Sequence, residues 1–109
     1  MGAISAAEKL GYSLRVSAGG VRAGHRPDGQ AGHSGGHAVD LDGINGSPVG
    51  FNQVTWKFIA DMIDSGTVIA IGTIAEIANS QEMRAHAAHA GVRLFADPGT
   101  GAHVHLQVR

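Results

Sequence analysis

The stretch GHSGGHAVDLDG, residues 32–43, changes character half-way along. Up to Gly36 it is a loop carrying His33, because glycine and serine at this density deny regular structure. From residue 37 it alternates. Ala38 and Asp40 fall on one face of a strand, Val39 and Leu41 on the other. A second stretch, HVHLQV at residues 103–108, alternates in the same way. It puts His103 and His105 on one face and Val104 and Leu106 on the other.

The remaining segments fill in around these strands. Residues 5–10 read as a short helix, with Ser5 and Glu8 at capping-box spacing and Gly11 as the stop. YSLRVS (12–17) suits a strand, residues 18–36 a loop, and GINGSPVG a turn. Residues 52–65 give the best helix, with an apolar stripe of Val54, Phe58, Ile59, Met62 and Ile63 closed by Gly66. That stripe is core rather than a cofactor box. TVIAIG (67–72) is a buried strand or a close-packed connection. Residues 73–90 are Ala-rich and helical, with a break near Asn79–Ser80 and a stop at Gly91. VRLFAD (92–97) and HVHLQV read as a strand pair joined across PGTG. The expected class is α+β: a small antiparallel sheet with flanking helices.

Composition narrows the function. A chain of 109 residues is expected to be one domain, residues 1–109. A net charge of −1 and the absence of a Lys/Arg run give no case for nucleic acid. No apolar run approaches the roughly 20 residues of a membrane span, and the start lacks a signal-peptide pattern. With no cysteine, any metal must sit on His, Asp or Glu. His33, Asp40 and one C-terminal histidine would supply two imidazoles and a carboxylate, the donor set of a catalytic zinc with a water in the fourth position. His103 and His105 stand about 6.6 Å apart along a strand, which suits one ligand with a second imidazole beside the site.

These residues carry a resemblance. Ala31, His33, Gly36, Ala38 and Asp40 follow the pattern Ser-x-His-x-x-Gly-x-Ala-x-Asp, with Ala31 in place of the serine, and a His-x-His follows near the end. The arrangement resembles the zinc D-Ala-D-Ala carboxypeptidase and L-alanyl-D-glutamate endolysin superfamily, whose fold the hedgehog signalling domain shares. The resemblance covers roughly residues 13–43 and 92–108. It implies a zinc metallopeptidase that hydrolyses peptide bonds in peptidoglycan stems or cross-links, with His33, Asp40 and His105 as zinc ligands. His103 resembles the imidazole beside the scissile carbonyl. GHRP (24–27) resembles the family's Ser-Gly-Tyr-Arg element, so Arg26, or Arg22 in another register, would hold a substrate carboxylate. Such enzymes occur in phage lysins, tail proteins and bacterial envelopes, and the implied protein is a monomeric, phage-encoded enzyme or an excised catalytic module. One departure matters. Relatives with a carboxylate base have it a few residues before the last ligand, where this chain has Gly99, Thr100, Gly101 and Ala102. Asp97 is the nearest carboxylate and reaches only if PGTG folds back; otherwise His103 serves as base, or the chain is a catalytically weak or inactive zinc- or wall-binding module. A plain interaction domain without metal is the third reading.

The other histidines take simpler readings. His37 points away from the Asp40 face, His25 belongs to the loop surface, and His86 and His89 lie on a surface helix face. DLDGINGSPVGF is not a calcium loop, because Ile44 and Phe51 stand where an EF-hand needs oxygen ligands.

Overall fold

The computed structural model describes residues 3–16, 38–97 and 102–108. The elements run α1 (Ala3–Lys9), β1 (Leu14–Val16), β2 (Ala38–Ile44), β3 (Ser47–Pro48), α2 (Gln53–Asp64), β4 (Val68–Thr73), α3 (Ala75–Ala78), α4 (Gln81–Ala90), β5 (Arg93–Ala96) and β6 (Val104–Val108). The expected α+β class holds. Helix α1 begins two residues earlier than its capping signal implies, so Ser5 lies inside it.

The sheet is mixed, not antiparallel. Its order is β1-β2-β6-β4-β5, with β3 hairpinned onto β2. Strand β6 runs antiparallel to both β2 and β4, while β4 and β5 are parallel. The expected pairing of residues 92–97 with 103–108 is therefore wrong: β4 lies between them. The physical reason is the crossover. Helices α3 and α4 return the chain to the start of the sheet, so β5 enters beside β4 in the same direction, as a strand-helix-strand unit does. The apolar run VIAIGT then takes an interior position with a partner on each side.

Local signals explain the elements. Asn45 and Gly46 both have positive φ, 52° and 81°, and so turn β2 into β3 through a tight hairpin. The Asn52 side chain accepts from the Thr55 amide at the start of α2, a cap worth about 1 kcal/mol. Ser80 caps α4 through Met83 N–H, and Gly91 ends α4 in the left-handed conformation at φ 76°. The break at Asn79–Ser80 separates α3 from α4.

The core forms on one face of the sheet. Val39, Leu41, Ile71, Val104 and Leu106 from the strands meet Phe58, Ile59, Met62 and Ile63 of α2, with Ile77 and Met83 beside them. Tyr12 closes one edge, its ring standing edge-on to Phe58 at 4.9 Å. Its hydroxyl donates to Asp61 Oδ2, which also accepts from Lys57 Nζ at 2.7 Å. The Lys57 bond first, and the Tyr12 bond second, hold the Asp61 carboxyl below the ordinary carboxylate value. A depressed pKa in the folded state contributes stability above the unfolded value, about 3.9, and that stability is lost as pH falls through the folded value. Wild type is therefore expected to exceed Asp61→Asn in stability at pH 6. The gap should narrow steadily below pH 4, as read by urea unfolding at each pH.

Candidate functional site

The face of the sheet turned away from this core holds the predicted chemistry. The registers align four residues in one row: Asp40 opposite His105, His105 opposite Gly72, and Gly72 opposite Phe95. Asp40 and His105 are 65 residues apart in sequence, yet Asp40 Oδ1 lies 2.8 Å from His105 Nδ1. Both side chains are largely shielded, at 19% and 17% exposure.

His103 stands on the same side, just ahead of β6. Its Nε2 lies 3.0 Å from Asp97 Oδ2, so Asp97 does reach the histidine pair. Thr73, fully buried at the end of β4, ties the two together. Its carbonyl accepts from the Asp97 amide at 2.8 Å, and its hydroxyl donates to the His103 carbonyl at 3.2 Å. Asp97 is thus delivered by β5 across β4, and not by a hairpin turn.

Two carboxylate–imidazole pairs on one face can do two kinds of work. Oδ1 of Asp40 and Nδ1 of His105 are the oxygen and nitrogen donors zinc takes, and a tetrahedral ion with bonds of about 2.0–2.1 Å would hold them roughly 3.3 Å apart. A separation about half an ångström wider than the observed hydrogen bond would meet that geometry, so the two side chains could supply two of a metal's ligands. Among the described residues no group of three His, Asp or Glu could hold one. His33, the expected third ligand, lies outside the described residues, as do Arg22, Arg26, His25 and His37. In the second pair, a carboxylate bonded to one ring nitrogen of His103 favours one tautomer, and an imidazole held in this way can take or give a proton.

Comparison with protein-family models, curated proteins and solved structures finds no match to this chain. The site therefore stands on its own geometry.

His86 and His89 stand apart from it on α4. His86 is half-buried, with Nε2 2.9 Å from Asp64 Oδ1 but poorly aligned for a hydrogen bond, and His89 is exposed. They line a shallow cavity of about 470 Å³ with Trp56, Ala60 and Glu82, on the helical side of the molecule.

Sequence reasoning missed Gly72, Thr73, Phe95 and Arg93. A glycine inside a strand signals a close approach of another group, and Gly72 is such a case. A Cβ there would stand 2.4 Å from Phe95 Cε2, because the ring lies over the strand beside His105, 6.1 Å between ring centres. No local signal marks Thr73, whose role depends on its two neighbouring strands. Gly72→Ala is expected to swing the Phe95 ring off the strand and not to unfold the protein. The gain of Ala over Gly in a strand, about 0.5–1 kcal/mol, offsets part of the lost packing. The measurement is the Phe95–His105 ring cross-peak by NMR, which should vanish while Tm moves by only a few degrees.

Proposed function

We propose that this protein is a zinc-dependent peptidase acting on the peptide stems or cross-links of peptidoglycan. On this reading it is a small relative of the D-Ala-D-Ala carboxypeptidases and L-alanyl-D-glutamate endolysins, with their hedgehog-type fold. The observation that carries the reading is the pairing of Asp40 with His105 beside the His103–Asp97 pair. Three of the residues that the motif assigns to chemistry, Asp40, His103 and His105, share one side of one sheet, and the Asp97 carboxylate meets His103 there.

The roles follow from chemistry. Asp40 and His105, with His33 from the glycine loop, are the proposed metal ligands. Bound there, zinc would lower the pKa of its water toward about 7 and polarise the scissile carbonyl. His103 faces the reacting group from two residues along the strand and stabilises the developing oxyanion or moves the proton. Asp97 orients His103 through Nε2, which supports an Asp–His couple as the base in a chain that lacks a carboxylate at the usual spacing. Arg22 or Arg26 would hold a substrate carboxylate by a forked contact. The proposed working unit is the monomer, on cell-wall material.

One zinc per chain is expected, removed by chelator and restored by zinc. His33→Ala, Asp40→Ala and His105→Ala should each abolish it, and His86→Ala and His89→Ala should not. Elemental analysis showing no zinc after loading would overturn the reading.

The His103–Asp97 couple has its own test. His103→Ala should keep zinc and lose turnover on purified peptidoglycan by about 10²–10³-fold, and Asp97→Asn should lose a comparable amount. Full zinc without any turnover in the wild-type chain would identify a silent zinc-binding module instead. Mass spectrometry of the digest identifies the bond cut.

A further inference from the structure

Arg93 shares the site's side of the sheet. It is exposed on β5, two residues before Phe95 and opposite Ala70. Its guanidinium carbon lies 4.8 Å from the centre of the Phe95 ring. Among the described residues no ion pair involves it. The other described arginines differ: Arg15 is tied to Asp42 at 2.6 Å, and Arg84 reaches the Ala78 carbonyl at 3.5 Å.

The Phe95 ring makes Arg93 more than a solvated charge. The ring is itself held over Gly72, where no side chain displaces it, and its other neighbour is His105. A guanidinium stacked on an aromatic face is partly desolvated and restrained, while its edge keeps N–H donors in the fork that matches a carboxylate. We infer that Arg93, on its Phe95 shelf, is the subsite for a substrate carboxylate on the far side of the Asp40–His105 pair. The word substrate rests on the peptidase reading; the anion-binding geometry does not.

The sheet sets the offset. Phe95 lies two strands from His105, at about 4.8 Å per strand. The side chains lean together, with the two ring centres 6.1 Å apart and the guanidinium 4.8 Å from the Phe95 ring centre, so it stands within about 11 Å of His105, at most about three residues of extended peptide at about 3.3–3.6 Å each.

The test uses the full chain loaded with zinc and an N-acetylated tetrapeptide ending in D-Ala, as the free acid and as the C-terminal amide. Binding is followed by NMR titration. The acid is expected to bind about tenfold tighter than the amide, the range of one charge-assisted fork. With Arg22 and Arg26 intact, Arg93→Gln should cut that preference severalfold, Arg93→Lys should leave more of it, and Phe95→Leu should weaken it. Arg84→Gln should leave it unchanged. The subsite is overturned if Arg93→Gln keeps the tenfold preference, or if the wild-type chain does not discriminate. Zinc content and peptidoglycan turnover, measured on the same samples, test the peptidase reading separately. A chain that prefers the acid through Arg93 yet never cleaves retains the subsite and loses the peptidase assignment.

Discussion

The antiparallel pairing of β6 with β2 is the constraint on which the rest depends. It sets Asp40 opposite His105 and Val39 opposite Leu106 in the same few hydrogen bonds. Because side chains alternate along a strand, one register choice decides both faces together. A slip of one residue would drive Val104 and Leu106 out of the core and His105 into it. The buried face, with Leu41, Val104 and Leu106 inaccessible to solvent, therefore locks the chemical face. Burial of each such side chain is worth about 1.5–3 kcal/mol, far more than the exposed Arg15–Asp42 pair, where about 1 kcal/mol is the ceiling.

The other partner of β6 decides what stands beside His105 and His103. Strand β4 contributes Gly72 and Thr73 at its C-terminal end, one with no side chain and one with a hydroxyl turned to backbone. Gly72 makes room for an aromatic ring beside His105. Thr73 fixes the termini of two neighbouring strands, so that Asp97 and His103 meet. Small residues here are a packing requirement of the site. Bulk at Gly72 would displace the Phe95 ring from beside His105.

Much of this was legible in the sequence because it is local. The alternation in HAVDLD and HVHLQV reports which residues share a face. Asn52, Ser80, Gly66 and Gly91 mark helix ends through caps and left-handed turns whose physics involves only a few neighbouring residues. The motif spacing singled out His33, Asp40, His103 and His105; the last three lie on the same side of the sheet, His33 lies outside the described residues, and Asp97 was named only as the nearest carboxylate. The strand pairing at the C-terminus was not legible. A PGTG turn between two alternating runs reads locally as a hairpin, yet β4 occupies the gap.

The sequence by itself determined the α+β class, most of the helix ends, the two-faced strands and the residue types available for chemistry, because each depends on periodicity or on backbone preferences within a few residues. Tertiary structure alone decided that β4 separates β5 from β6, that Asp97 meets His103, and that Phe95 lies on Gly72 with Arg93 above it. Those outcomes depend on contacts between strands far apart in the chain. Burial of the whole apolar face selects them, and no window of neighbouring residues contains that information.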